Sequence, residues 1–466
     1  MKNIDLLRNT FIYAIGSFGS KVLSFLLIPL YSFYISKDDF GYYDLVITSI
    51  NLVVPFLSIQ ISDGAFRWLI TSGKEDRLIK ETISNSFLVV LFSVFSLIFI
   101  GIIALYVSPL KGHFIIFMLG ILSIVYPYLQ QVARGLGRNK LYAFNGVLYT
   151  IIFLLLNVLL LVYFKLSFEA LFISSIVAYF VCSLNLVLQL EFYRYFSFKY
   201  LSFPSLRGLL NYSLPLVPNT ISWWLVSSAN KYIVLYYLGV STNGIFAMSN
   251  RFPVVLMMIN SIFTLAWQEA AIKQTDNSSK EIDSSVFEVL TKVQFVFVAL
   301  LSLLSQFICL YFLSEEYFES WRYMPILYLS VAFLSFSSYY GAFFLGTKST
   351  SLIFRSTFYS GVVTVLVSLL LVKSIGLYGV SIAVLLGYVF MFLNRKHGVK
   401  KIISVLFPTQ VFIKYMGICL LAILISFKGY LILNLVMLFV VLTYFIYDNR
   451  MFCNKVFFKI KQIKRR

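Results

Sequence analysis

Phe87-Leu88-Val89-Val90-Leu91-Phe92-Ser93-Val94-Phe95-Ser96-Leu97-Ile98-Phe99-Ile100-Gly101-Ile102-Ile103-Ala104-Leu105-Tyr106-Val107 runs through the chain without a single charge. A helix that crosses the hydrocarbon core of a bilayer needs about 20 predominantly apolar residues, and this stretch supplies them. Only helices and closed barrels satisfy every backbone polar group in lipid. A barrel strand would alternate apolar and polar residues over about ten positions, whereas 87–107 is continuously apolar. The stretch therefore reads as a membrane helix. Similar runs recur from Phe11 onward, separated by short polar gaps. Of the 466 residues 60% are hydrophobic and 12% charged, with a mean hydropathy of +0.88. An ordinary soluble domain is about 25% charged, so this chain has too little polar surface to face water. The expectation is an all-α integral membrane protein of about fourteen transmembrane helices, the first near 10–34 and the last near 429–447.

Lys and Arg are counted by alternate loops, because translocated loops are poor in them. With the N-terminus inside, 29 fall on the inner side, six on the outer side, and Lys21, Lys231 and Arg251 lie within spans. Both termini are expected on the cytoplasmic side. The same asymmetry explains the net charge of +19 without nucleic acid: the basic residues face anionic lipid, and the tail from Lys455 to Arg466 reads as an electrostatic anchor to the phospholipid bilayer. Cys182, Cys309, Cys419 and Cys453 lie in or beside apolar segments without metal-ligand spacing and read as packing residues. Gly346-Thr347-Lys348-Ser349 lacks the spacing and preceding strand of a phosphate loop. His113 and His397 stand alone in loops, and no external loop of useful size carries paired carboxylates. No metal or cofactor is expected, and an enzyme is disfavoured. The first apolar run is too long for a signal-peptide core and is expected to remain as a span.

An internal repeat organises the spans. Gly41-Tyr42-Tyr43-Asp44-Leu45 resembles Gly244-Ile245-Phe246-Ala247-Met248, Leu136-Gly137-Arg138-Asn139-Lys140 resembles Leu345-Gly346-Thr347-Lys348-Ser349, and Lys165 resembles Lys373, at nearly constant offset. Two six-helix units, 1–205 and 206–395, followed by two extra helices and a basic tail over 396–466, account for this. Six is even, so the repeats are parallel; in transporters built this way the substrate site lies between repeats that rock against each other.

Several further segments carry a family resemblance: Asn9-Thr10 with Gly16 and Lys21, the Asp39-Phe40-Gly41-Tyr42-Tyr43 turn, the loop from Ala133 to Lys140, and Asn211-Tyr212-Ser213-Leu214-Pro215-Leu216-Val217-Pro218. Over roughly residues 1–395 the chain resembles the bacterial polysaccharide-unit flippases of the multidrug, oligosaccharidyl-lipid and polysaccharide exporter superfamily. The resemblance implies a V-shaped pair of six-helix bundles in the bacterial inner membrane. It also implies as cargo an undecaprenyl diphosphate bearing a repeat unit of O-antigen (lipopolysaccharide) or capsule, moved from the cytoplasmic to the outer leaflet. Other polysaccharide-assembly membrane proteins are implied as partners.

A cation at the centre of a membrane helix costs about 2.5–3.5 kcal/mol on insertion scales and normally faces protein or a wet pathway. Lys21, Lys231 and Arg251 are therefore expected to line a cationic cavity for the diphosphate, Arg as a bidentate fork and Lys as a point charge. For Lys231 and Arg251 the alternative is snorkelling to the surface. Asn230 and Asn250 would meet sugar hydroxyls or tie helices together. Asp63 and Glu269, near the ends of the second and eighth spans, are expected either to gate or couple transport to an H+ or Na+ gradient, or to pair with Arg67 and Lys273 as solvated end residues. Trp223, Trp224, Trp267 and Trp321 are expected in the aromatic belt. Two rivals stand beside the flippase: a multidrug exporter of the same superfamily, which would carry membrane-embedded carboxylates, and a glycan polymerase, which would show a large external loop with catalytic residues.

Overall fold

At 1.5 Å per residue, a 51-residue helix would run about 76 Å, more than twice the hydrocarbon thickness of about 30 Å. The segment Thr350–Lys400 has that length and must bend. It does so at Ile375 (φ −132°) and Gly376 (φ 56°), where the chain turns back. The computed structural model describes residues 25–73, 75–107, 112–276, 281–282, 285–347, 349–400 and 404–450. Eleven of its helical segments are long and apolar enough to cross a membrane. Two of them, 203–272 and 350–400, hold two crossings each, the former bending at Gly239 (φ 86°). The described end of the first expected span is α1, Phe25–Tyr34. The protein is thus an all-α multi-pass membrane protein. Its only extended pairing among the described residues is a two-residue parallel bridge of β1 (Glu281–Ile282) with β2 (Ser404–Val405).

The chain folds as two compact units, 1–247 and 248–466. In the first, α2 (Lys37–Ser58) starts at Ser36, whose hydroxyl accepts from the Asp39 amide, with Asp38 and Asp39 in the first turn complementing the positive helix end. It stops at Ile59 and Gln60, both left-handed (φ 50° and 53°), and the span resumes as α3, Ile61–Thr71. Neither residue is glycine, so this break is imposed by surrounding packing. Then follow α4 (Asp76–Val107), α5 (His113–Gly135), α6 (Asn139–Val158, extended by a π turn over Leu159–Tyr163), α7 (Phe168–Leu190), α8 (Phe203–Ser213), α9 (Leu216–Ser227) and α10 (Asn230–Arg251). One hydroxyl inside a span ties two helices: Ser93 Oγ donates to the Val89 carbonyl at 2.7 Å and lies 2.8 Å from that of Leu57, joining α4 to α2.

Gly41 of α2 and Gly244 of α10, paired by the sequence repeat, meet in space. A Cβ on Gly41 would strike the Val240 carbonyl oxygen and sit 2.8 Å from Gly244 N, and one on Gly244 would strike the Lys37 carbonyl oxygen. Asn243 Nδ2 donates to the Gly41 carbonyl at 3.0 Å. Such backbone-to-backbone approach needs small residues. Gly41→Val is expected to destabilise by the upper end of the roughly 1–3 kcal/mol of overpacking, since backbone cannot move aside as a side chain can; thermal unfolding of the purified protein measures it.

The second unit contains α11 (Pro253–Asp276), α12 (Ser285–Phe312), α13 (Met324–Gly346), α14 (Thr350–Lys400), α15 (Thr409–Ser426) and α16 (Leu431–Asp448). Its centre is α13, whose crossing window is 89% buried, against 11% for α16. Phe287, Phe295, Phe333, Phe336 and Phe392 pack edge to face around it, with Phe412 of α15 closing the cluster.

Arg395, in the charged run Arg395-Lys396-His397, lies inside α14 and is 3% exposed. It crosses to α13 and to the other arm of α14: Nε donates to Ser356 Oγ (3.0 Å), Nη2 to Thr357 Oγ1 (3.0 Å) and Nη1 to the Ser337 carbonyl (3.3 Å). Trp267 and Trp321 are also buried rather than belted; Trp267 stacks on Tyr339 at 4.4 Å and donates to its carbonyl. Cys182, Cys309 and Cys419 are buried free thiols, while Cys453 lies outside the described residues.

Candidate functional site: a polar cavity at a broken helix

Where α2 breaks, a cavity of about 390 Å³ opens in the first unit. Irregular backbone at membrane depth is tolerated where it is buried in protein or lines a wet cavity. The break contributes Ser58 and Gln60, and α3 contributes Ser62 and Asp63. From α5 come Ser123, Tyr126, Pro127, Gln130 and Gln131; Tyr142 and Tyr149 of α6 and Tyr179 of α7 complete the wall. Among the described residues no Lys or Arg lines it, and the charged side chain in the lining is Asp63.

Asp63 is half-buried, and its Oδ1 accepts from Gln131 Nε2 at 3.2 Å, a contact between α3 and α5 in place of the expected pairing with Arg67. Gln131 Oε1 is buried without a hydrogen-bond partner. A buried amide oxygen left unpaired is disfavoured by about 1–3 kcal/mol, so turning this side chain toward a donor in the cavity would be favourable. Gln60 Nε2 donates to Thr220 Oγ1 of α9 at 3.0 Å, and Gln130 donates to the Tyr126 hydroxyl. Tyr149 and Tyr179 stack at 4.8 Å, and Tyr126 lies 5.1 Å from Tyr179. The cavity thus combines neutral hydrogen-bonding groups, tyrosine rings and one carboxylate. Among the described residues no group of three or more His, Cys, Asp or Glu could hold a metal ion.

Lys231 is placed elsewhere in the same unit, and it is paired. Its Nζ lies 2.9 Å from Asp44 Oδ1 and 2.8 Å from Oδ2, with Thr48 Oγ1 at 3.3 Å; the two side chains are 16% and 10% exposed. Snorkelling is excluded for Lys231, since its charge is turned onto α2. The same α2 face is held by Trp224 Nε1 donating to the Thr48 carbonyl (3.0 Å) and by a Ser49–Tyr232 hydroxyl contact of 2.5 Å. Asn230 is 1% exposed, with its Oδ1 unpartnered. Asn250 and Arg251 are half-buried at the end of α10, and Glu269 is exposed on α11. Lys21 lies outside the described residues.

The first unit therefore brings together Lys231, Asp44 and Thr48 as one cluster and gathers Asp63 with the tyrosine and glutamine wall as another. Sequence reasoning misses Asp44, Gln131 and the tyrosines. Asp44 is visible as a charge inside the expected second span, and attention to buried cations alone overlooks it. Pro55 in α2 and Pro127 in α5, both at the cavity, mark helices under distortion.

Residues 6–272 match the family described as "Polysaccharide biosynthesis protein". No curated protein matches the chain. Among solved structures it is similar to "Lipid II flippase MurJ, inward closed conformation", at TM-score 0.70 and 14% identity, covering 95% of this chain and 100% of that one. It is also similar to an inward-facing multidrug resistance MATE family transporter of the MOP superfamily, at TM-score 0.65 and 13% identity, covering 82% and 95%. A MOP superfamily transporter from Pyrococcus furiosus matches at TM-score 0.54 and 14% identity, covering 85% and 94%. At these identities the likeness is one of fold.

Proposed function

The chain belongs to the polysaccharide biosynthesis protein family, and on that premise we propose that it is a flippase moving undecaprenyl-diphosphate-linked oligosaccharide units from the cytoplasmic to the outer leaflet of a bacterial inner membrane. The observation that carries this reading is the cavity, with hydrogen-bonding groups in its wall, built into the spans at the break of α2. A purely structural membrane bundle gains nothing from an unwound span and unpaired polar groups, which are disfavoured in lipid unless they serve a pathway. The similar fold of a lipid II flippase supports the same cargo class, a polyprenyl diphosphate carrying sugar. Lys21, Lys231, Arg251, Asn230 and Asn250 remain the proposed cargo contacts. For Lys231 to meet a phosphate it must exchange Asp44 for that anion. The test is a deletion strain assayed for lipid-linked repeat units: their accumulation on the cytoplasmic face supports the reading, and normal delivery of surface glycan removes it. Lys21→Ala at normal membrane abundance is the residue-level check; undiminished surface glycan takes Lys21 out of the mechanism.

Energy is proposed to enter through an H+ or Na+ gradient acting on Asp63, with Glu269 the second candidate carboxylate. Asp63 stands at a helix break with an amide oxygen beside it, the kind of broken-helix setting in which transporters hold coupling cations. Asp63→Asn preserves shape and removes charge. It is expected to abolish the dependence of flipping on an imposed gradient in proteoliposomes; an unchanged dependence would move the coupling role to Glu269 or to consumption of the product outside.

A multidrug exporter is the second reading, and Asp63 is the observation that favours it, since a carboxylate in a tyrosine-lined cavity suits an organic cation. Efflux of a cationic dye by the purified protein, with no movement of lipid-linked sugar, would decide for it.

A further inference from the structure

We propose that the cavity beside Asp63 seats one uncharged sugar ring of the cargo and does not hold the diphosphate; the assignment rests on the flippase reading above. The sequence leads one to expect a cationic chamber, but among the described residues the lining of this cavity holds no Lys or Arg, and its charge there is the Asp63 carboxylate. Among the described residues, a diphosphate or an acidic sugar placed there would face the Asp63 carboxylate with no cation in the lining; the charge of Arg134, outside the lining, is already engaged with Asp63, and like charges opposed in a confined site are strongly disfavoured. What the wall offers is suited to hydroxyls. Asp63 and the unpartnered Gln131 Oε1 accept, while Gln60 supplies a side-chain amide donor. The stacked Tyr149 and Tyr179 rings supply an apolar flank of the kind that covers the C–H face of a pyranose. At about 390 Å³ the space falls in the lower part of the roughly 300–1,000 Å³ typical of small-molecule sites, enough for a ring and too small for a polyprenyl chain. Mostly neutral walls with a few convergent polar groups are how such sites fix orientation, so the seat reads the sugar while its phosphates are held elsewhere.

The seat distinguishes cargo by charge: it accepts a neutral hexose or N-acetylhexosamine and rejects a uronic acid. The test is saturation-transfer NMR on the full chain in lipid nanodiscs with three probes: N-acetylglucosamine, glucuronate and inorganic pyrophosphate. N-acetylglucosamine is expected to bind, with glucuronate and pyrophosphate at least about tenfold weaker. Asp63→Asn should retain N-acetylglucosamine binding within a few fold and remove most of the discrimination against glucuronate. Gln131→Met should weaken N-acetylglucosamine about tenfold, the value of one hydrogen bond. Tyr359→Phe, on an exposed ring of the second unit, should change nothing. Glucuronate binding as tightly as N-acetylglucosamine, an Asp63→Asn protein with undiminished discrimination, or no sugar binding at all overturns the seat. Flipping of lipid-linked saccharide by the same nanodisc-grade protein in proteoliposomes is scored separately: a protein that binds the sugar as described but moves no lipid-linked cargo overturns the flippase reading and leaves the seat, whereas one that flips without the sugar effects overturns the seat alone.

Discussion

Asp44→Ala is expected to destabilise the protein by about 3–5 kcal/mol, the loss typical of removing one partner from a buried ion pair. Lys231 would be left largely buried against α2, with Thr48 Oγ1 at 3.3 Å as its remaining acceptor. Attraction between the two charges offsets their removal from water only while both are present. The double variant Asp44→Ala with Lys231→Met is therefore expected to recover most of the loss, because it removes the stranded charge and keeps an apolar stem of similar length. Thermal unfolding of the two singles and the double closes the cycle; a double variant as unstable as the sum of the singles would show that the two charges do not depend on each other. The pair also bears on transport. It ties α2 to α10 next to the Gly41–Gly244 crossing and the Trp224–Thr48 hydrogen bond, so the double variant should fold yet release this seam more readily. Proteolytic or cysteine-labelling access along α2 reads that release.

Arg395→Lys is expected to destabilise more than Arg395→Met, reversing the usual order of conservative and radical substitution. The guanidinium donates in three directions at once, to Ser356, Thr357 and the Ser337 carbonyl, and its described partners are all neutral. A lysine ammonium is a point charge that cannot span these acceptors, and at a buried position it must either keep a poorly paired charge or give up its proton, both unfavourable. Losing two charge-assisted hydrogen bonds at about 1.5 kcal/mol each gives about 3 kcal/mol. Methionine removes the charge along with the bonds. The acceptors it abandons are not orphaned, because the Ser356 and Thr357 hydroxyls also donate to the Ile353 carbonyl at 2.8 and 2.9 Å. Replacement of a buried charge by an apolar residue is commonly close to neutral, so a loss within about 1.5 kcal/mol is expected. Gly341 leaves the guanidinium its room, since a Cβ there would lie 2.7 Å from Arg395 Nη1. Melting temperatures of the two variants decide the order; lysine retaining the stability of arginine would mean that charge, and not the fork, is what this site requires.

Much of the architecture is legible along the chain. The run from Phe87 to Val107 needs only its length and composition to be read as a helix in lipid, and the helix count follows from recurrence of such runs. Glycines mark two of the reversals, Gly239 and Gly376, since both adopt the positive φ that side chains disfavour. The burial of Arg395 is less legible, since nothing in its charged cluster shows that the guanidinium packs against α13 and the other arm of α14. The break of α2 is not legible either, because Ile59 and Gln60 carry no local signal for a left-handed conformation.

Membership in the membrane class, the helical architecture and the abundance of basic residues were determined by the sequence by itself, because hydropathy and charge are sums over neighbours along the chain and lipid reads those sums directly. Only tertiary structure decided that Lys231 is neutralised by an aspartate 187 residues away, and that a carboxylate, an amide and stacked tyrosines from four helical segments converge on one cavity. Those outcomes depend on how each helix is rotated about its axis and where it breaks. Both are set by packing between segments distant in sequence, which no local sum contains.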